Sequence, residues 1–306
     1  MTRGTHGEKI VATLDGEKTP NNDKPRLEAA LQRYDEWIQQ LNSITAHSNE
    51  ELIRRLVDLL NEYKNFIDIE LIFDSPEDFL YRQKGQLKLD NTVIEEFLPI
   101  LVRRCLPHEH ILNIDIDSQI ATFSSAYLES SLSIPGIGGG LTIKTKDQDF
   151  SMSRKLYIKS SYDVNFSPEI TKTVEAHIGY VLAELKTNLD KTMFQEATAT
   201  AHDVKLAVSG AKYYLLCDFL DMTPISTTTT DIDEILIMRK AKRISSNIRS
   251  SFNAYSGRKA QRDWYIDFLH RNPYSFDIFK RFLEHVLSLL RNEELIEESV
   301  LEVGYF

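Results

Sequence analysis

Glu184 and Lys186 stand two residues apart in the run Tyr180-Val181-Leu182-Ala183-Glu184-Leu185-Lys186-Thr187, which is otherwise largely apolar. Its composition and alternation predict a β-strand. Successive strand side chains point to opposite faces, so Val181, Ala183 and Leu185 share one face, and Glu184 and Lys186 share the other with Leu182 and Tyr180. An acid and an amine looking out together from such a strand suit metal-assisted hydrolysis of a phosphodiester. A carboxylate can hold a hard divalent cation that keeps several of its waters. Such a cation activates a bound water and stabilises charge developing on the phosphate, and a neighbouring lysine can orient that water. The apparatus needs a second carboxylate from an adjacent strand. Asp163 is the candidate: residues 155–164 read as a strand with Tyr157, Lys159, Ser161 and Asp163 on one face. The 21 residues from Asp163 to Glu184 leave room for a turn at Ser167-Pro168 and a return strand.

The elements around the pair are those such a site needs. After Thr187 come a turn, a helix opening at Asp190 as N-cap and stopping at Ser209-Gly210, and an apolar strand over residues 212–219. Strand, helix and strand make a βαβ crossover with both strands in one sheet. Over residues 155–222 the order Asp163…Glu184-x-Lys186, helix, strand resembles the active-site signature of the PD-(D/E)xK nucleases, with Tyr162 where that family often has proline. The stretches Ala183-Glu184-Leu185-Lys186-Thr187 and Met193-Phe194-Gln195-Glu196-Ala197 further resemble type II restriction endonucleases of the BbvCI-like group. That group cuts short asymmetric, nearly palindromic DNA sites with non-identical subunits or active sites.

The resemblance implies an α/β fold, with a mixed central sheet of the restriction-endonuclease type and helical additions before and after it. It implies a Mg²⁺-dependent site-specific deoxyribonuclease in a bacterial or archaeal cytoplasm. Asp163, Glu184 and the Leu185 carbonyl would hold Mg²⁺, for which Mn²⁺ or Ca²⁺ can substitute, and Lys186 would orient the attacking water. Gln195 and Glu196 would support the site from the helix, as would Glu129 from a helix expected over residues 118–130. Double-stranded DNA is the implied partner. One chain offers one catalytic set, so cutting both strands implies a homodimer or a heterodimer with a related subunit. The rivals are a non-catalytic DNA-binding or assembly protein on the same scaffold, and a structure-selective repair nuclease.

With 306 residues, 42% of them hydrophobic, the chain can bury a sizeable core. No apolar run is long enough to span a bilayer, and residues 1–7 lack an apolar signal segment. Cys105 and Cys217 lie among apolar residues and read as buried free thiols of a reducing compartment. The net charge of −10 opposes indiscriminate DNA binding, but location matters more than the sum. Residues 239–262 hold eight Lys or Arg and no acid, while acids gather at residues 231–234 and at the C-terminus. The expected DNA contacts are therefore Lys144, Lys146, Arg154 and Lys155 upstream, and Arg239, Lys240, Lys242, Arg243, Arg249, Arg258 and Lys259 downstream. Lys84 and Lys88, with Arg82 and Gln83, are further candidates.

By region, residues 1–25 read as a flexible polar arm, 26–132 as mainly helical, and 133–306 as the nuclease core with its basic segment and C-terminal helices. Helices are expected over residues 26–41, after the Ser48 cap, over 91–105, and over 264–290 with a break at Asn272-Pro273. The glycines at 136–140 lead into a strand rather than a helix, which excludes a P-loop and leaves a mobile loop near DNA or a tight turn.

Overall fold

The computed structural model describes residues 3–290, 301–302 and 304. Three helices open the chain: α1 (Thr5–Leu14), α2 (Lys24–Ser43) and α3 (Asn49–Asn65). In α2, Leu27, Tyr34, Trp37 and Leu41 recur at helical spacing and are buried. Ser48 caps α3 by accepting the Glu51 N–H, while the Glu51 carboxylate accepts the His47 N–H. The chain then continues as a π-helical segment over Phe66–Phe73, buried on most sides. Next come α4 (Asp78–Gln83), α5 (Thr92–Cys105) and the short α6 (His108–Ile111).

The supposed N-terminal arm is α1, and it is locked in place. His6 is fully buried, with Nε2 3.0 Å from the Tyr63 hydroxyl and Nδ1 2.9 Å from Thr92 Oγ1. Its N–H donates to Glu96. Burial, and then the charge of Lys64, bring the imidazole pKa down to about 3, so the ring stays neutral. Gly7 is required: a Cβ there would sit 2.6 Å from the Tyr34 ring. The sequence hides this helix because it is short and polar, and only tertiary burial stabilises it.

The strands are β1 (Asp115–Asp117), β2 (Ile120–Leu128), β3 (Leu141–Gln148), β4 (Phe150–Ser160) and β5 (Lys172–Leu189). Helix α7 (Lys191–Ala207) then leads to β6 (Lys212–Leu220) and β7 (Glu234–Lys242). They form one mixed sheet in the order β1-β4-β5-β2-β3, with β6 beside β5 and β7 beyond it. β4 and β5 are an antiparallel hairpin, whereas β5, β6 and β7 run parallel. Residues 118–130, expected as a helix, are mostly β2, because their β-branched and aromatic residues find a partner strand in β3. The chain ends with α8 (Ser246–Ser251), α9 (Tyr255–Ala260), α10 (Arg262–Arg271) and α11 (Phe276–Leu290), the last two parted at Asn272-Pro273. The acidic run at residues 293–298 lies outside the described residues.

The β5 faces divide as the alternation dictates. Val181, Ala183 and Leu185 join Phe97, Leu101, Phe279 and Phe282 in the main core under α5 and α11. Leu182 packs with Phe194, Ala197, Ala201, Tyr213 and Cys217 under α7. The N-terminal helices therefore share one core with the sheet. Among the described residues no helix is long and apolar enough to cross a membrane.

Candidate active site

A gap in strand pairing creates the site. β4 begins at Phe150, opposite Ala183, so from Glu184 onward β5 has β6 on one edge and, among the described residues, no strand on the other. N–H and C=O groups on an unpaired edge need partners. The Leu185 N–H donates to Asp149 Oδ2 at 2.9 Å, and the Leu185 carbonyl accepts from Asn91 Nδ2 at 3.1 Å. Asp149, the one residue between β3 and β4, is thereby fixed beside the Glu-x-Lys pair.

Glu184 and Lys186 project from the α7 face as expected. Lys186 Nζ lies 2.8 Å from Glu184 Oε1, and the Tyr213 hydroxyl donates to Glu184 Oε2 at 2.5 Å. Burial alone would lower the Lys186 pKa, but its hydrogen bond to Glu184 and the charges of Glu184, Asp149 and Glu196 raise it above the usual amine value. The amine is therefore an ammonium at neutral pH. Burial also raises the Asp149 pKa, opposed by the Leu185 N–H and by Lys88.

A third acid, in the helical layer, lies within electrostatic reach of Asp149. Glu95, in the first turn of α5, is fully buried, with Oε2 accepting from Gln119 at 2.9 Å and Oε1 unpartnered. Burial, then the charge of Asp149, push its pKa up to about 7. Lys88 acts electrostatically on both acids. Lys88 and Gln119 each adopt the left-handed backbone conformation, at φ 55° and 61°, a strain that surrounding contacts must hold. Among the described residues no group of three or more His, Cys, Asp or Glu side chains is set closely enough to hold a metal ion by itself.

Asp163 is elsewhere. β4 ends at Ser160, and Asp163 caps the exposed turn beyond it, accepting from the N–H groups of Asn165 and Ser167 and from the Ser167 hydroxyl. Those hydrogen bonds hold its pKa below the usual carboxylate value. It sits by Ser160↔Lys172, at the opposite end of the hairpin from Ala183, roughly 35 Å from Glu184 by strand rise. Asp, Asn and Ser so close together are turn-formers, and that chemistry outweighs the strand alternation. Hairpin register is the signal that could have found Asp149 in place of Asp163. Counting back equally along both strands from the turn, with one bulge at Met152/Ser153, brings Asp149 opposite the Glu-x-Lys end. Nothing local in the sequence singles out Glu95 from other helix carboxylates.

The remaining candidates separate. Glu196 is exposed on α7 within electrostatic reach of Lys186, and Gln195 is exposed beside it. Glu129 is in the loop after β2, away from the Glu184 end, because its expected helix is a strand. Gly138 packs against Ser160 and Lys172, so the glycine segment is a tight turn seated on the β4–β5 tip.

Lys146 reaches the site indirectly through Thr200, at 2.7 Å. Lys144 and Arg154 are exposed, and Lys155 pairs with Glu175. In the downstream basic segment, Arg239 and Arg258 are buried and unavailable to DNA. Arg258 donates to the carbonyls of Phe73, Ser75, Glu77 and Phe252 and to Asp78. Arg239 stacks on Tyr274 at 4.0 Å and donates to the Asn272 carbonyl. Lys240 and Arg243 pair with Asp277 and Asp221, and Arg249 donates to the Ile244 carbonyl. Lys242 and Lys259 remain exposed.

Comparisons with known proteins bear on the fold and the family. The structure is similar to a solved structure described as the native BbvCI A2B2 tetramer at low resolution, with a TM-score of 0.53 and 18% identity, over 80% of this chain and 86% of that one. That is a likeness of fold. Among curated proteins no sequence matches the chain. The profile of the Bpu10I restriction endonuclease matches residues 86–306, from the loop before α5 to the C-terminus. The matched span takes in Glu95, Asp149, Glu184 and Lys186, and the chain belongs to the Bpu10I restriction endonuclease family of sequence-specific DNA endonucleases.

Proposed function

We propose that the chain cuts DNA as a Mg²⁺-dependent type II enzyme through Asp149, Glu184 and Lys186, with Glu95 completing the acidic site. The observation that carries this is the convergence of Asp149 on the Glu184-x-Lys186 end of β5, where the strand edge is open. The residues suit a hard cation. Asp149 and Glu184 offer carboxylate oxygens, and Glu95 has a buried oxygen with no partner. Mg²⁺ takes one or two carboxylates and fills the rest of its sphere with water and phosphate, so a denser protein cage is unnecessary. When bound, such an ion lowers the pKa of water and stabilises charge on the scissile phosphate.

The chain's own groups do the rest. Lys186, held as an ammonium, donates hydrogen bonds and so orients water or stabilises phosphate charge instead of taking a proton. Tyr213 fixes one Glu184 oxygen. Before a cation binds, Glu95, its pKa raised to about 7 by burial and then by the charge of Asp149, can hold a proton at Oε1, which a bound ion would displace.

The same reading makes the active form an assembly with at least two such centres, either a homodimer or a complex with a related subunit. The fold neighbour's description as an A2B2 tetramer supports this. So do the apolar side chains exposed at the hairpin tips, among them Leu132, Ile134, Tyr162 and Val164, which a second subunit would cover. Two buried free thiols suit a reducing bacterial or archaeal cytoplasm.

The test is a plasmid digestion with Mg²⁺ and mapping of the ends. Asp149→Asn and Glu184→Gln should each lower the cleavage rate by at least roughly 10²–10³-fold, whereas Asp163→Asn should cut at the wild-type rate. Cutting by Asp149→Asn, or its loss in Asp163→Asn, refutes the assignment.

A further inference from the structure

The loop between α4 and α5 is pinned beside the site. Asn91 Nδ2 donates to the Leu185 carbonyl at 3.1 Å, and Asn91 Oδ1 accepts from the Thr187 hydroxyl at 3.4 Å, so the loop is tied to β5 on either side of Lys186. Leu89 is fully buried, and its N–H donates to the Lys84 carbonyl at 3.1 Å. The Lys88 carbonyl accepts from the Thr92 hydroxyl, whose oxygen also lies 2.9 Å from His6 Nδ1, which brings the α1 clamp to the same point.

This anchoring presents Lys88. Its backbone is left-handed, at φ 55°, where glycine would sit without penalty, yet the chain places a lysine there. Such strain persists only where the surroundings over-determine it, and it gathers at functional sites. The side chain is exposed, unlike buried Leu89 and Asp90 beside it. Lys84 pairs with Asp90 and Lys186 with Glu184, whereas Lys88 makes no ion pair among the described residues. Its charge is nevertheless felt at both Glu95 and Asp149. The site has a use for that charge. With the carboxylates of Glu95, Asp149 and Glu184 ionised around a divalent ion, an incoming phosphate diester leaves one negative charge more than the ion and Lys186 neutralise. An ammonium is a compact point charge well suited to a phosphate oxygen.

We propose that the Lys88 ammonium contacts a non-bridging oxygen of the phosphate being cut, as a second catalytic amine beside Lys186. The proposal rests on the chain being a metal-dependent nuclease. The two amines then divide the work. Lys186, tied to Glu184, stays with the attacking water, while Lys88 meets the phosphate from the edge of β5 that β4 leaves unpaired. A fixed positive charge there stabilises charge that builds on the phosphate oxygens as the bond breaks.

Three variants separate the ammonium from the backbone that carries it. Lys88→Gly removes the amine and relieves the left-handed strain, Lys88→Gln removes the charge alone, and Lys88→Arg keeps it. A duplex is first selected from a random pool on the full chain in Ca²⁺, which needs binding and no cleavage. In Mg²⁺, single-turnover cleavage of that duplex by Lys88→Gly and Lys88→Gln should fall roughly 10²-fold. Lys88→Arg should recover most of the loss, and the thermal midpoint of Lys88→Gly should be no lower than that of the wild type. In Ca²⁺, Lys88→Gln should bind the duplex only several-fold more weakly. That gap should close when a neutral methylphosphonate replaces the phosphate mapped as the cut position, and persist when it replaces any other. Wild-type cleavage by Lys88→Gly, equal losses in Lys88→Gln and Lys88→Arg, or a gap that closes at another phosphate or at none overturns the proposal. Full cleavage by Lys88→Gln with none by Asp149→Asn removes the Lys88 role alone. A wild-type chain that selects no duplex, or binds one without cutting it, removes the nuclease reading and this role together.

Discussion

Glu95 illustrates how a residue can be costly to the fold and useful to the site. Its carboxyl is buried beside Asp149, so its pKa rises from about 4.5 to about 7. The folded state then binds a proton that the unfolded state releases, and stability falls as pH rises between those two values. The loss approaches about 3 kcal/mol by pH 7, at about 1.4 kcal/mol per pKa unit. Below pH 4.5 the penalty is absent. Glu95→Gln should therefore raise the thermal midpoint at pH 8 while barely changing it at pH 4.5, and should lower cleavage at both Mg²⁺-saturating and limiting concentrations. Calorimetry across that range checks it, and an equal gain at both pH values would disprove the linkage. A divalent ion relieves the same repulsion. Ca²⁺ should raise the wild-type midpoint and do so less for Asp149→Asn; equal shifts in the two proteins would mean the ion binds elsewhere.

At the level of elements, Arg258 shows where the basic segment spends its charge. The guanidinium is fully buried in α9 and gathers the backbone at Phe73, Ser75 and Glu77 to Phe252, tying the C-terminal helices to the end of the π-helical segment. Removing one partner of a buried charged network leaves several acceptors without donors. Arg258→Ala should cost about 3–5 kcal/mol of stability, and Lys, with one point charge in place of a planar fork, should not restore it. The exposed neighbour Lys259→Ala should leave stability unchanged and weaken DNA binding. Denaturant melts paired with anisotropy separate the two effects. Composition alone treats these adjacent residues alike, whereas burial divides them.

For the whole molecule, the acidic total and the limited set of exposed cations favour docking at one surface over general attraction to DNA. If each strand is cut by its own centre, as proposed above, an assembly with one disabled centre should stop halfway. Mixing wild-type protein with an excess of Glu184→Gln should make nicked circles accumulate before linear product. Direct conversion to linear plasmid in that mixture would show that a single centre cuts both strands.

The sequence by itself determined the Glu184-x-Lys186 pair, its face on β5, the Asp190-capped helix and the parallel strand that follows, because alternation and capping are local properties. It also carried the family resemblance. It could not choose the partner acid: Asp163 and Asp149 both flank β4, and only the hairpin register decides which meets Glu184. Nor could it separate Arg258 from Lys259, turn α1 from an arm into a buried clamp, or bring Glu95 from a helix in the N-terminal layer to a strand edge. Each of those depends on residues far apart in sequence, and their placement is fixed by packing around the shared core.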